Sequence, residues 1–375
     1  MVFKALLQAV NMIPTINYNT QLELVELIDQ TRLPLEKSIL RCTHEDEIVQ
    51  AIKTMQIRGA PAIGVAAAYG VFLGLQRFNG SEKTFSAFWP GLVDMLASTR
   101  PTAVNLFWAL DRMRQTVETI LHTQGKFIER LAMARQGALK EAQAIQNEDI
   151  AMCRAIGRYG AEFLKDGQTW ITHCNAGALA TAGYGTALGV FRAAKEQGKK
   201  FRVFVDETRP LLQGSRLTAW ELREENIDAT LICDNVAGSL MANGKIQAVV
   251  VGADRITAHG YVANKIGTYP LAVLASFHNI PFYVAAPAST FDLKLTLGRR
   301  IAIEERDPGE VRSFGARPTA PFDMPVFNPA FDVTPPELVS AIFTNVGVLK
   351  PPFSASIREK MARIPTQAAF TARKA

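Results

Sequence analysis

The chain reads Trp170-Ile171-Thr172-His173-Cys174 near its middle, a short apolar run that ends in a thiol. A second run of this kind, residues 248–254, reads Ala-Val-Val-Val-Gly-Ala-Asp and ends in a carboxylate. Short apolar runs bounded by turn residues are typical of strands buried in a parallel sheet. Because the carboxyl ends of parallel strands meet at one edge of the sheet, where ligands bind, Cys174 and Asp254 are predicted to share an active site.

Strand-like and helix-like stretches alternate over the second half of the chain. Strands are predicted at 170–174, 201–206, 229–234, 248–253 and 282–286, and helices at 178–197, 214–225, 236–242 and 263–278. This alternation predicts an α/β fold with a doubly wound, Rossmann-like parallel sheet.

The first part of the chain has apolar residues at helical spacing instead. Helices are predicted at 45–55, 65–75, 102–121 and 127–147, with a few strands before residue 45. We therefore predict two domains, a smaller and mainly helical N-terminal domain over 1–130 and a Rossmann-like catalytic domain over 131–375.

Composition excludes several classes of protein. The 375 residues are 48% hydrophobic and 20% charged, which is ordinary for a globular chain. The net charge is +6, without a dense block of lysine and arginine, so nucleic-acid binding is disfavoured while a phosphorylated substrate is suited. No stretch reaches the roughly 18 to 20 apolar residues of a membrane span. Residues 1–10 are too short an apolar run for a signal peptide, which predicts a cytoplasmic protein with reduced thiols.

Motifs for metals and common cofactors are missing from the sequence. The four cysteines show no CxxC spacing, and the five histidines form no HxxxH pair, which argues against a zinc site. A full GxGxxG motif after a strand and a Walker A motif are both absent, which disfavours NAD and ATP chemistry. We therefore expect neither a metal nor a cofactor.

Two helix starts carry an arginine. Arg58-Gly59-Ala60-Pro61 opens the helix that contains residues 65–75, and Arg100-Pro101 opens the helix over 102–121. Free amides at a helix start, next to an arginine, form an anion site. A plain capped helix and a surface arginine are the alternatives, and local chemistry does not choose between these readings.

Each of the two strand-end groups also has a structural reading. Cys174 precedes a glycine turn, a setting that lowers the pKa of a thiol, although most cysteines are buried packing residues. Asp254 follows an apolar strand, where a raised pKa would make it a proton donor, although a helix cap or an ion pair is the alternative. His173 alternates to the opposite face of the strand from Cys174, which argues against a Cys–His hydrolase.

Three polar residues lie next to predicted helix starts, namely Gln213, Asn264 and Lys265. Such side chains can contact the hydroxyls or the phosphate of a sugar phosphate. Taken alone, each is typical of an ordinary cap or surface group.

An ordered set of motifs resembles those of the methylthioribose-1-phosphate isomerase family, over about residues 21–348. The motifs are Arg58-Gly-Ala-Pro-Ala-Ile-Gly64, Arg100-Pro-Thr-Ala-Val-Asn105, Thr172-His-Cys-Asn-Ala-Gly177, Asp206-Glu-Thr-Arg-Pro210, Gln213-Gly-Ser-Arg-Leu-Thr218, Gly252-Ala-Asp-Arg-Ile256, Ala263-Asn-Lys-Ile-Gly267, Ile303-Glu-Glu-Arg-Asp307 and Phe327-Asn-Pro-Ala-Phe-Asp332. One departure is visible, since His259-Gly260-Tyr261 stands where the family pattern has Asn-Gly-Asp. The departure removes a carboxylate close to Asn264 and Lys265.

The resemblance implies an isomerase of methionine salvage that converts 5-methylthioribose 1-phosphate to 5-methylthioribulose 1-phosphate. It implies a homodimer that uses no cofactor, with Asp254 as the proton donor and Cys174 as the transition-state stabiliser. The substrate-binding residues that it implies are Arg58, Gly59, Ala60, Arg100, Gln213, Asn264 and Lys265. After ring opening, hydrogen moves between C2 and C1, either through an enolate-like species or as a hydride, and the sequence does not choose between the two.

Related proteins provide the alternatives. Ribose-1,5-bisphosphate and 5-deoxyribose-1-phosphate isomerases differ in the group at the 5-position of the sugar, since a methylthio group requires an apolar pocket and a second phosphate requires extra Arg or Lys. Non-catalytic regulatory subunits of a translation-initiation exchange factor have similar sheets. Those subunits generally lack the cysteine and aspartate pair, which this chain has.

Overall fold

The computed structural model describes residues 14–101, 103–315 and 317–362. Within them the chain is a mixed α/β protein in two compact units. Unit 1 contains the described residues up to Cys153 together with Ala176–Gly185, and unit 2 contains Arg154–Asn175 and the described residues from Thr186 onward. The boundary at residues 130 and 131 expected from the sequence lies inside a single long helix, whereas the units divide later in the same helix.

Unit 1 combines a small antiparallel sheet with helices. Its strands are β1 (Ile16–Asn19), β2 (Leu24–Ile28) and β3 (Ile39–Cys42), which pair in that order. Its helices are α1 (Glu45–Lys53), α2 (Ala60–Arg77), α3 (Glu82–Ala97), α4 (Val104–Leu121) and the first part of α5 (Phe127–Ala161). The predicted N-terminal helices and strands are confirmed, with shifted ends.

Helix α2 forms the centre of the apolar core of unit 1. Its small and apolar residues are buried on every side from Ala62 to Leu75. A helix that is apolar all round is typical of a position inside a protein core or of a membrane span. Across the part of the chain that the structure describes, no helix combines the length and the apolar character needed to cross a bilayer.

Unit 2 contains the remaining strands and helices. The strands are β4 (Thr169–Thr172), β5 (Arg202–Asp206), β6 (Ala229–Ile232), β7 (Ala248–Val251), β8 (Arg255–Thr257), β9 (Val262–Lys265), β10 (Phe282–Ala285), β11 (Phe291–Asp292), β12 (Ser313–Phe314), β13 (Arg317–Pro318), β14 (Phe331–Thr334), β15 (Ala341–Thr344) and β16 (Gly347–Leu349). The helices are α6 (Ala187–Glu196), α7 (Ala219–Glu224), α8 (Ala237–Ala242), α9 (Thr268–Phe277), α10 (Gly309–Arg312) and α11 (Phe353–Met361).

The main sheet of unit 2 has seven strands in the order β16-β15-β10-β7-β4-β5-β6. All its pairings are parallel except that of β15 with β16. Along the chain, β4 is the first strand of this sheet. The next strands, β5 and β6, lie on one side of β4, and the later strands β7 and β10 lie on its other side. The strand order therefore reverses between β4 and β7, and open α/β sheets bind ligands at the carboxyl ends of the strands at such a reversal.

A second, four-stranded sheet in the order β11-β8-β9-β14 corrects one predicted helix. The stretch 263–278 was expected to be helical throughout, whereas its first residues belong to β9 and the helix α9 begins only at Thr268. Gly267 separates the two elements with a backbone φ of 102°. The ladder between β9 and β14 supplies backbone hydrogen bonds that outweigh the local helical pattern.

The predicted helix over 178–197 is wrong in its first half, because α6 begins at Ala187. The preceding stretch contains a short 3₁₀ turn at Ala178–Ala180 and then irregular backbone. Gly183 and Gly185 have positive φ angles, and both donate their N–H groups to the hydroxyl of Thr181. These glycines stop a helix here, and the apolar character of the stretch reflects burial.

Candidate functional site

Adjacent parallel strands carry the two strand-end groups. Residues of β4 pair in parallel with β7, with Trp170 opposite Ala248 and Ile171 opposite Val249. Cys174 follows β4 and Asp254 follows β7, so both groups leave the sheet at the same edge. This edge is where the strand order reverses, the usual ligand position in such sheets.

Two buried threonines hold the backbone of Cys174. Its φ is 63°, in the left-handed region that few residues other than glycine adopt. The N–H of Cys174 donates to Oγ1 of Thr208 (2.8 Å), and its carbonyl oxygen accepts from Oγ1 of Thr218 (2.6 Å). Such a conformation costs about 1–3 kcal/mol and persists only where the surroundings enforce it. The two hydroxyls therefore aim a partly exposed thiol at the sheet edge.

Thr208 is itself strained and well anchored. This β-branched residue has a φ of 65°, and its backbone N–H donates to Oδ1 of Asp234 at 2.7 Å. Its hydroxyl donates to the carbonyl oxygen of Asp206 at 3.1 Å. Gly214 packs against the same carbonyl, since a Cβ there would lie 1.6 Å from the oxygen. The loop after β5 thus forms a rigid support for Cys174.

His173 points away from the thiol into a buried polar group. Its Nδ1 lies 3.0 Å from Oδ2 of Asp206, and its Nε2 lies 2.8 Å from the carbonyl oxygen of Ile266. Burial alone would lower the pKa of His173, but the hydrogen bond and the charge of Asp206 raise it above the usual value. Burial raises the pKa of Asp206 to about 6, against the opposing effect of His173.

Among the described residues, one set of side chains could share a metal ion, and it consists of His173, Asp206 and Asp234. Both carboxylate oxygens of Asp234 already accept backbone N–H groups, from Thr208 and Arg209. Both ring nitrogens of His173 also have protein partners. Oδ1 of Asp206 is the exception, since it is buried without a hydrogen-bond partner among the described residues. Nδ1 of His173 and Oδ2 of Asp206 lie at a distance that suits a shared proton.

Asp254 lies on the rim of the sheet and its side chain is exposed. This exposure differs from the apolar setting expected from the sequence. Its N–H donates to the carbonyl oxygen of Ala263 at 2.9 Å, which joins it to β9. Arg255, beside it, pairs with Asp292 at 3.3 Å.

Asn264 and Lys265 lie on β9 beside Asp254. Asn264 is buried, and its Nδ2 donates to Oγ1 of Thr268 at 3.0 Å. Nζ of Lys265 donates to the carbonyl oxygen of Ala330 at 2.9 Å and lies 5.2 Å from the centre of the Phe331 ring. The structure thus brings Asp254, just before β8, close to Asn264 and Lys265 on the neighbouring strand β9.

Gln213 offers a buried acceptor. The residue is 6% exposed, and its Oε1 is buried without a hydrogen-bond partner among the described residues. Buried polar atoms are nearly always satisfied, so an orphan acceptor next to the loop after β5 is consistent with a ligand hydroxyl.

The arginine-bearing helix starts lie in unit 1. Gly59 precedes α2 with a φ of 94°, and no side chain among the described residues caps the first turn of α2 or of α4. The two starts are neighbours, since a Cβ on Gly64 would lie 2.8 Å from the carbonyl oxygen of Asn105. Arg58, Ala60 and Arg100 are partly buried here. Neighbouring uncapped helix starts provide the free amides that an anion site requires.

Gly59 also has a purely structural reason to be glycine. A Cβ at this position would lie 2.4 Å from the carbonyl oxygen of Ala180, within the same unit. Close packing of two backbones therefore excludes any side chain, whether or not a ligand binds.

Several residues important to the site were not singled out from the sequence. Thr208 and Thr218 fall inside quoted motifs, but nothing in their local sequence indicates that they hold Cys174. Strand alternation argues against His173 as a base for Cys174, and its contact with Asp206 joins residues 33 positions apart. A polar residue inside an apolar strand was the available signal, because such a residue needs a buried partner.

Comparison with known proteins agrees with this architecture. The model of the initiation factor 2 subunit family matches residues 56–351. A relative from Moorella thermoacetica named 5-deoxyribose 1-phosphate isomerase is 55% identical over 90% of this chain and 95% of its own length. A methylthioribose-1-phosphate isomerase from Carboxydothermus hydrogenoformans is 54% identical, over 89% and 95%.

A solved structure is also similar. The crystal structure of 5-methylthioribose 1-phosphate isomerase from Pyrococcus horikoshii OT3 is 41% identical and has a TM-score of 0.88. The match covers 95% of this chain and 97% of that one. On the extent of these matches, the chain belongs to the initiation factor 2 subunit family.

Proposed function

We propose that this chain is an aldose–ketose isomerase that converts 5-methylthioribose 1-phosphate to 5-methylthioribulose 1-phosphate, a step of methionine salvage. The observation that carries the proposal is the position of Cys174 and Asp254 after adjacent parallel strands, where the strand order reverses. Relatives that are more than half identical over most of the chain are named for this reaction or for that of a close substrate.

The substrate determines the first chemical task. Phosphate on the anomeric oxygen prevents the sugar from opening to an aldehyde in the usual way, so the ring oxygen must receive a proton while its bond to C1 breaks. Asp254 in its protonated form supplies that proton, and Cys174 stabilises the charge that develops. Hydrogen then moves from C2 to C1 within the same molecule, and the C2 hydroxyl loses its proton as the ketone forms. That proton balances the one taken up by the ring oxygen, so the reaction is redox-neutral and requires no external oxidant.

The exposure of Asp254 imposes a condition on this role. A proton donor must enter the reaction with its proton, so the exposed carboxyl of Asp254 requires surroundings that favour the protonated form. Bound substrate would cover the sheet edge and remove water from the carboxyl, which raises its pKa. Asp254 therefore becomes an effective proton donor only when the substrate is bound.

The remaining roles follow the chemistry of each group. Arg58, Gly59, Ala60 and Arg100 belong to uncapped helix starts and would bind the phosphate. The sugar hydroxyls and the phosphate oxygens would be bound by Gln213, Asn264 and Lys265. The buried Oε1 of Gln213, which has no hydrogen-bond partner among the described residues, supports the binding of a hydroxyl. We further propose that the enzyme acts as a cytoplasmic homodimer.

A second candidate is the isomerisation of 5-deoxyribose 1-phosphate, which the name of the Moorella relative favours. The two substrates differ only in the group on C5, a methylthio group or a hydrogen, and present the same C1, C2 and ring oxygen to Cys174 and Asp254. One site can therefore catalyse both reactions at different rates.

A direct assay tests the proposal. Purified protein should be offered 5-methylthioribose 1-phosphate, 5-deoxyribose 1-phosphate and ribose 1,5-bisphosphate, with Cys174→Ser as the control for the site. We expect the highest kcat/KM with the methylthio sugar and a strong loss in the variant. Turnover of none of the three, together with tight binding to a partner protein, would favour a regulatory subunit. Unchanged activity of Cys174→Ser would reduce Cys174 to a packing residue.

A further inference from the structure

The ring of His173 faces an acceptor on both sides. Oδ2 of Asp206 lies 3.0 Å from Nδ1, and the carbonyl oxygen of Ile266 lies 2.8 Å from Nε2. A carbonyl oxygen only accepts hydrogen bonds, so Nε2 must carry a proton. A neutral imidazole has a single N–H, so Nδ1 can contact a carboxylate favourably only if the ring carries a second proton.

The surrounding charges favour that second proton. Asp234 lies 4.0 Å from Nδ1, and Asp332 also interacts electrostatically with the ring. With Asp206, three carboxyl groups from three different strands or strand ends therefore face one imidazole, and Glu207 adds negative charge next to Asp206. An imidazolium at the centre compensates this charge, whereas a neutral ring would leave the buried carboxylate of Asp206 without a cation beside it.

The ring also joins three segments of unit 2. It follows β4 directly, contacts Asp206 at the end of β5, and contacts the turn between β9 and α9. Gly267 in this turn has a φ of 102°, and a Cβ there would lie 2.7 Å from Cε1 of His173. Asp332 secures the turn from the other side, since its carboxylate accepts the N–H groups of Gly267 and Tyr269. The ring therefore packs directly on the backbone that follows Asn264 and Lys265.

We propose that His173 is a positioning residue that works as a buried, doubly protonated imidazolium, bridging Asp206 and the Ile266 carbonyl and thereby fixing Cys174 relative to Asn264 and Lys265. It touches no reacting atom and acts through the residues on either side of it. Its effect on catalysis rests on the function proposed above, whereas its protonation state does not.

The raised pKa values agree with this arrangement. The hydrogen bond that Nδ1 donates to Asp206, together with the charge of that carboxylate, overcomes burial and raises the pKa of His173. The ring therefore keeps its second proton to a higher pH than an ordinary histidine does. Once the proton leaves Nδ1, the lone pair of the ring faces the carboxylate of Asp206, and the contact becomes repulsive.

Nuclear magnetic resonance on the full-length wild type tests the protonation state without reference to activity. With ¹⁵N-labelled histidine, we expect one ring to show both Nδ1 and Nε2 protonated at pH 7 and its signals to be absent from His173→Gln. His122→Gln, which changes an exposed histidine of unit 1, should leave those signals in place. A neutral ring for His173 at pH 7 would overturn the proposal.

Asp206→Asn gives a second test that does not require replacing the histidine. The amide oxygen can still accept from Nδ1, but the charge is gone, so His173 should lose its second proton at a lower pH than in the wild type. An unchanged titration of the ring would contradict the bridge.

Kinetics then test the positioning role. We expect His173→Gln to lower kcat by on the order of 10²-fold, the effect of small misplacements in an active site. The alkaline decline of kcat in the wild type should coincide with the titration of the ring, and it should move to lower pH in Asp206→Asn. Full activity of His173→Gln at every pH would refute positioning. If the wild type turns over no sugar phosphate, the proposed function fails, and the resonance experiment still decides the protonation state.

Discussion

Cys174 shows how single residues in this protein depend on distant hydroxyl groups. Its left-handed backbone is enforced by Thr208 on the N–H and by Thr218 on the carbonyl oxygen. Both threonines are fully buried, so neither contact can be replaced by bulk water. The direction of the thiol therefore depends on Thr208, after β5, and on Thr218, before α7, as much as on β4.

Thr208→Val should distinguish the effect of the hydrogen bond between Thr208 and Cys174 from the effect of side-chain packing. Valine keeps the shape but leaves the N–H of Cys174 without an acceptor, which costs about 1–3 kcal/mol of unfolding free energy. Turnover should fall as the thiol loses its direction. Chemical denaturation and steady-state kinetics measure the two effects. Thr208→Ser keeps the hydroxyl and should retain most of both, and equal losses in the serine and valine variants would argue against the hydrogen bond.

Asp254→Asn should remove catalysis without affecting folding. General acid catalysis contributes on the order of 10² to 10⁴ in rate, so kcat should fall by that factor. The side chain is exposed, so the unfolding free energy should change by no more than about 0.5 kcal/mol. Parallel activity and denaturation measurements check this, and near-normal turnover would exclude the role of proton donor.

At the scale of elements, the stretch from Ala176 to Gly185 is held through its backbone. The hydroxyl of Thr15 donates to the carbonyl oxygen of Ala178, and Nε2 of Gln30 donates to that of Leu179. The carboxylate of Asp149, on α5, accepts the N–H of Ala182 at 2.6 Å. An irregular segment can be this deeply buried only when its peptide groups find such partners.

Asp149 makes the stability of this element depend on pH. Burial raises the pKa of Asp149 to about 6, from about 3.9 in an unfolded chain. Since the folded pKa is the higher one, the contribution to stability is fully present below about pH 4 and is lost as the pH rises through about 6. The advantage of wild type over Asp149→Asn should therefore shrink by up to about 3 kcal/mol between pH 4 and 7.

Denaturation of both proteins across this range is the measurement. Asp94→Asn, at an exposed carboxyl of α3, serves as a control that should follow the wild type at each pH. Parallel curves for wild type and Asp149→Asn would show that the carboxyl does not titrate as a buried group.

In two segments, the local sequence pattern predicts a different structure from the one observed. The stretch 178–186 has the composition of a helix, yet the side chain of Thr181 and the positive φ angles of Gly183 and Gly185 give it another shape. Asn264 and Lys265 stand before a helix in the sequence, yet their backbone pairs with β14. In both cases contacts with distant residues outweighed the local preference.

At the scale of the whole molecule, α9 has an exposed apolar face. Tyr269, Val273 and Phe277 are spaced by four residues, so they lie along one side of the helix, and all three are exposed. A contiguous apolar patch of this kind is typical of an interaction surface. It is a natural position for the interface of the proposed homodimer.

Phe277→Asp should weaken self-association. Burying a charge in an apolar interface is costly, so the variant should dissociate at concentrations where the wild type is a dimer. Sedimentation equilibrium measures this. Leu35→Asp changes an isolated exposed leucine of unit 1 and should leave the dimer intact. A wild type that is monomeric at micromolar concentration would contradict the proposed dimer itself.

The sequence alone determined the class of the molecule. Apolar runs at 170–174 and 248–253 indicated strands that end in Cys174 and Asp254, and the ordered motifs indicated the family, which the comparisons confirm. These features could be predicted because periodicity and turn residues report burial and element type within a few positions.

The tertiary structure decided what surrounds those residues. It made β4 and β7 neighbours at the reversal of strand order, placed two threonine hydroxyls on the backbone of Cys174, and enclosed His173 between Asp206 and Ile266. It also left Asp254 exposed, against the expectation from its apolar neighbours. The reason is physical: these contacts join residues tens of positions apart, and only the packing of the whole sheet brings them within hydrogen-bond distance.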